Sequence, residues 1–155
     1  MPVSPIPLLQ HLDGQGAATV KGLPSPEAET DAANKAYVDE KVRRIKAPAA
    51  QAISGHRAVF ISANDEADYP QVARQIDGLT IVGVSAGAAA QGDDVEIYTA
   101  GAITEPGWNW TSGPVFAGNL GVLTQTPEAG VWVRQIGVAV SPTKIIIGIE
   151  PVILT

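Results

Sequence analysis

Polar and apolar residues change their period along the chain, and the change divides it into regions. Over residues 30–46, TDAANKAYVDEKVRRIK, the apolar positions Val38, Val42 and Ile45 recur at spacings of four and three. Ala33 or Ala36 extends the stripe backwards. That period predicts a helix whose apolar stripe is narrow, as in a coiled-coil seam, and unlike the broad face of a helix lying on a sheet. Thr30 or Asp31 can cap it by accepting a bond from a free N–H of the first turn. Acidic Glu27, Glu29 and Asp31 stand at its positive end, and basic Lys41, Arg43, Arg44 and Lys46 at its negative end. Asp39–Arg43 and Glu40–Arg44 are i,i+4 pairs in the favourable order. A helix of about 24 Å is marginal alone in water, so it calls for partners. Copies of itself in a parallel bundle are one answer and packing on the rest of the chain is the other. Ala33, Tyr37, Val38, Val42 and Ile45 are the candidate oligomerisation residues.

Before this helix, residues 1–29 read as an extended docking arm. Pro2, Pro5, Pro7, Pro24 and Pro26 each remove a backbone donor and restrict the preceding residue, so no continuous helix forms. Ile6, Leu8, Leu9 and Leu12 are too apolar for a purely solvated tail and are the candidate docking contacts. After it, residues 47–55, APAAQAISG, read as a linker.

From residue 56 to 155 the period falls to two, with strands expected near 57–63, 79–85, 94–99, 114–117, 131–140 and 144–153. Gly, Pro, Asn and Asp punctuate them, which indicates a small antiparallel sandwich or barrel. Gly83, Gly137 and Gly148 fall inside expected strands, where they suggest bulges or tight bends. Two short echoes support duplicated hairpins: Gly92–Thr104 resembles Gly113–Thr124, and Ile81–Ser85 resembles Gln135–Ala139. The expected fold is therefore mainly β with one N-terminal helix: arm, short oligomerising helix, linker, then a small β-sandwich or barrel.

Composition sharpens this. Of 155 residues 45% are hydrophobic, but only two Phe, three Tyr and three Trp are present. A core of Ala, Val and Ile suits strands in closely spaced layers. With no cysteine there is no disulfide, thiolate metal site or cysteine nucleophile. Oligomerisation is then one remaining route to extra stability. A net charge of −6 argues against a nucleic-acid surface, where clustered positive charge is the footprint. No apolar run nears the roughly 18 residues of a membrane span. The first residues, MPVSPIPLLQHLDG, lack a basic start, so neither a signal peptide nor membrane insertion is expected.

The segment Leu12–Asp39 carries Gly22, Leu23, Pro24, Pro26, Thr30, Asp31, Ala32, Ala33, Lys35, Ala36, Tyr37, Val38 and Asp39 in order. It resembles a motif of tailed-bacteriophage fibre proteins, of head-fibre or tail-fibre type, that precedes or starts a trimeric helical stalk. Asn34 stands where that motif often has Thr. The match covers under a fifth of the chain. The later patterns Ala90–Val95, Gly113–Phe116 with Leu123–Thr124, and Gln135–Ala139 look like the β modules of capsid-decoration proteins, more loosely. The resemblance implies a virion structural protein, made in the host cytoplasm, whose partners are its own copies in a homotrimer and other virion proteins. Full tail fibres are usually longer, which favours a short fibre, spike or decoration subunit, with a tail-fibre adaptor or a capsid-cement protein as alternatives.

Candidate chemistry is sparse. His11 and His56 are the only histidines. Ser54 near His56 lacks a nucleophile elbow, and Gly83–Gly87 lacks the lysine of a phosphate loop. Asp65, Glu66 and Asp68, and Asp93, Asp94 and Glu96, are acidic groups without the spacing of a calcium loop. The expectation is no enzyme, no metal and no cofactor. Trp108 and Trp110, two apart, would share one face of a strand. With Trp132, Tyr69 and Tyr98 they could stack on a sugar, so a carbohydrate-binding module for a host-surface glycan is the alternative of another class. Plugging a core of small residues, or forming a subunit contact, are the competing roles.

Overall fold

The computed structural model describes residues 43–155; the docking arm and the helix-forming segment up to residue 42 lie outside the described residues. The described chain is mainly β, with three antiparallel sheets and one short helix. The first sheet has the order β1 (Arg44–Pro48), β5 (Asp94–Tyr98), β4 (Ile81–Ser85), β2 (Ala58–Ile61), β3 (Ala67–Asp68). The second has the order β6 (Gly101–Thr104), β11 (Lys144–Ile147), β10 (Gln135–Ser141), β7 (Gly113–Ala117), β8 (Leu123–Thr124). A ribbon of β9 (Trp132–Val133) and β12 (Ile153–Leu154) stands beside the helix α1 (Gln75–Leu79).

The two large sheets share one core, which makes the molecule a small β-sandwich. Ala58, Phe60, Ile81 and Val84 of the first sheet meet Ile103, Val115, Ala117, Ile136, Ala139, Ile145 and Ile147 of the second. Strand periodicity explains the selection, since alternate residues of each strand face the same way. In β11 the burial alternates strictly, Ile145 and Ile147 in, Lys144 and Ile146 out.

The first sheet is buried on its other face too. Val59, Val95 and Ile97 point away from the shared core and form a second cluster with Ala47, Ala49, Ile53 and Ala67. The cover comes from residues 49–53, whose Ala49 bridges Ala67 and whose Ile53 bridges Ala89. This explains why β2 reads as an unbroken apolar run, as strands buried on both faces do.

Several expectations change. The helix expected through residue 46 does not extend that far, because Arg44–Pro48 is an edge strand paired with Asp94–Tyr98. Ile45 lies opposite Ile97 in that ladder, 40% exposed, so it does not belong to a helical seam. The local i,i+4 pairs are outweighed by a five-residue ladder, and Pro48 disfavours helix in the residue before it. The linker expected at 47–55 is instead the cover of the first sheet. The strand expected over 131–140 divides at Arg134 into β9 and β10, and that over 144–153 stops at Ile147, so Gly148 is outside any strand. α1 and β3 are additions; α1 is only five residues long, too short to show a helical period.

Gly83 and Gly137 do sit at irregularities of register, between Val59 and Phe60 and between Gln135 and Gly137. Gly83 is required by a close approach: a Cβ there would run into the Tyr98 carbonyl and the Ile97 side chain. Gly83→Ala should therefore destabilise the fold by about 2 kcal/mol or more, measured by urea denaturation. A loss below about 0.5 kcal/mol, within the range of an ordinary surface substitution, would refute the tight β4–β5 crossing.

Candidate functional site

The described candidate residues fall at three places. Trp132 is the most buried, 1% exposed. Its Nε1 donates to the carbonyls of Gln71 (3.1 Å) and Arg74 (2.9 Å), and a Cβ on Gly78 of α1 would strike its ring. Arg134 completes this corner by donating to the Gly78 and Leu79 carbonyls at 2.6 and 2.9 Å, which satisfies acceptors left free at the end of α1. Burial holds the Arg134 guanidinium below its ordinary value. Asp77, fully buried, accepts from the Gln71 N–H at 3.0 Å and stands 3.6 Å from Arg74 Nε. Trp132 is thus the peg that fixes α1 and the loop before it. It is not open to a sugar, which corrects its place among the candidate glycan residues. Replacing it by Phe should cost about 2 kcal/mol through two lost Nε1 hydrogen bonds and lost volume, read as a lower urea midpoint. An unchanged midpoint would mean that the peg is dispensable.

Trp108 and Trp110 lie between β6 and β7, outside any strand, so they do not display a flat strand face. Their ring centroids are 5.6 Å apart and the planes are tilted by 59°. Both are partly buried against the shared core. His56 packs edge-on against Trp108, with centroids 5.3 Å apart, and its Nδ1 is 3.5 Å from Glu105 Oε2. The His56 backbone is left-handed, at φ 58°, and its N–H donates to the Ser85 carbonyl. The buried Ser85 hydroxyl secures the same turn, accepting from the Arg57 N–H at 3.0 Å and donating to the Ser54 carbonyl at 2.7 Å. The cluster therefore ties the entry to β2 in one sheet to the exit of β6 in the other. Trp110 Nε1 is buried, and among the described residues no acceptor reaches it. Tyr69 and Tyr98 are not part of this cluster's ring contacts: Tyr69 OH accepts from the Ser54 N–H, and Tyr98 lies beneath Arg44, 4.5 Å from ring centroid to guanidinium.

The acidic groups are held in local structure. Asp65 has a left-handed backbone in the turn that closes from Ser62 to Glu66, and Asp68 Oδ1 accepts from the Tyr69 N–H and the Gln51 amide. Among the described residues no group of three or more His, Asp or Glu is arranged to hold a metal. A cleft of about 520 Å³ lies between the β2–β3 hairpin and α1, floored by Phe60 and rimmed by Ser62, Asn64, Glu66, Asp68 and Arg74. Among the described residues its lining includes no histidine. No described helix is long and apolar enough to cross a membrane.

Glu96 binds both cations of β1, Arg44 at 3.0 Å and Lys46 at 3.4 Å. The Arg44 guanidinium, and after it the Lys46 ammonium, hold its carboxyl below the ordinary value of 4.5. A lowered carboxylate stabilises the fold above its unfolded pKa and loses that contribution as pH falls through the lower folded value. The pair is more than a third exposed on the Glu96 side, so its contribution is at most about 1 kcal/mol. Glu96→Gln should lower stability by that amount at pH 7 and by nothing at about pH 2, in parallel urea titrations. An equal deficit at both pH values would contradict the ion-pair account.

No protein-family model matches this chain, and a search of curated proteins returns no match. The candidates Ala33, Tyr37, Val38 and Val42, and the arm contacts Ile6, Leu8, Leu9 and Leu12, lie outside the described residues.

Proposed function

We propose that this chain is a structural protein of a tailed-phage particle, a short trimeric fibre or surface-decoration subunit that works by assembly and carries out no bond chemistry. The observation that carries the reading is the ordered motif from Gly22 to Asp39, which resembles the stalk entry of phage fibre proteins. Its position supports the same reading, since the motif ends five residues before the first strand of the β-sandwich. A helix seamed by Val38 and Val42 would bring three sandwiches side by side, and the arm before it would dock on a neighbouring virion protein. Ile45 now drops out of that seam, and Tyr37 or Ala33 would extend it in the other direction. The sandwich supports the reading through its construction: its conspicuous side chains, Trp132, Trp108, His56 and Ser85, are spent on holding elements together.

Replacing Val38 and Val42 together by Asp should abolish the trimer while the near-ultraviolet signal of the buried tryptophan and the urea midpoint stay unchanged. Sedimentation velocity reads the first and circular dichroism the second. A double variant that remained trimeric would exclude the helical seam and the fibre reading built on it.

A further inference from the structure

The two sheets of the sandwich are finished differently on their outer faces. The first is roofed by residues 49–53. On the second, the outward positions form an apolar row across four strands: Ala102 opposite Ile146, Ile146 opposite Val138, and Val138 opposite Pro114. Val138, Val140 and Ile146 are 41%, 45% and 48% exposed. An antiparallel sheet with one solvated face ordinarily carries polar residues there. Here Lys144 is the single charged residue in all five strands, and no acidic residue occurs in any of them.

We infer that this face pairs with the same face of a second copy. Charge is the first argument. The chain has a net charge of −6, so two copies repel one another, and the second sheet is a face from which acidic groups are missing. A basic partner would find no carboxylate to meet, and an acidic one would find only Lys144. Symmetry is the second. A twofold axis through the Val138–Ile146 pair stacks apolar row on apolar row and sends the two Lys144 side chains to opposite ends, about 14 Å apart along the strands. Area is the third. Five strands about 4.8 Å apart and up to about 23 Å long present roughly 400 Å² of flat footprint, more with side-chain relief. Stable pairs bury roughly 600–800 Å² on each partner, so the contact is a weak, reversible one. It does not depend on the fibre reading, and it would join sandwiches of different trimers where that reading holds.

The test is made in the full chain with Val38→Asp and Val42→Asp, which removes the helical contact. Sedimentation from about 1 to 200 µM should show a concentration-dependent rise from the 16.0 kDa monomer towards twice that mass. Adding Val138→Lys and Ile146→Lys should raise the dissociation constant at least about tenfold. Val138→Thr with Ile146→Thr keeps the β-branched shape and should weaken pairing in the same direction while preserving the fold. A background variant that stays monomeric throughout overturns the proposal, as does pairing that neither set of substitutions weakens. If the background variant keeps the trimer, the fibre reading fails instead. In that case the lysine and threonine pairs are tested on the trimer's own concentration-dependent association, with the same two outcomes.

Discussion

Everything in the described molecule depends on one apolar layer shared by two sheets. Ala58 and Val84 from one side and Val115, Ala139, Ile136 and Ile145 from the other fill it with small and β-branched side chains, and Phe60 is the one large ring that β2 adds. Such residues leave little area per position, so backbones must approach closely and strands must cross tightly. Within each sheet, Gly83 and Gly137 mark the closest approaches of paired strands, each with no room for a Cβ beside the neighbouring strand's carbonyl. Apart from Phe60, the strands of this layer contribute no aromatic side chain that is fully buried in it. Trp132, Trp108 and Trp110 accordingly gather along its margins, where Trp132 anchors α1 and Trp108 joins the two sheets through His56. Trp132 looks functional in sequence and is buried as a structural peg, and Trp108 and Trp110 are partly buried against the core.

The strands with apolar alternation or a short apolar run were legible from residues alone. β2, β4, β5, β7, β10 and β11 all fall within one residue of expected segments, because each buries one or both faces. The first strand was not legible. Arg44, Lys46 and the i,i+4 partners before them favour a helix locally, and only the ladder to β5, with Glu96 between the two cations, makes the strand win. The alternation of Ile45, Ala47 and Ala49 was present but too short to compete with the helical pattern preceding it. Residues 49–53 were misread for a related reason: Ala and Gln look like linker, and their value as a roof exists only once Val59, Val95 and Ile97 need covering.

The candidate site was less legible than the fold. Tryptophans two residues apart suggest a platform only if they stand on a strand, and between β6 and β7 they do not. The apolar outward row on the second sheet was invisible because it is assembled across four strands, each contributing one residue. Side chains committed to internal joints, a roof over one sheet and a bare apolar face with Lys144 as its one charge on the other suit a subunit that acts by association. The stalk-like motif ahead of the sandwich points the same way.

The most direct test of that account is the native mass of the unmodified chain, by light scattering on a sizing column at low micromolar concentration. The account predicts about three times 16.0 kDa. A monomer at that concentration, with the sandwich folded, would contradict it.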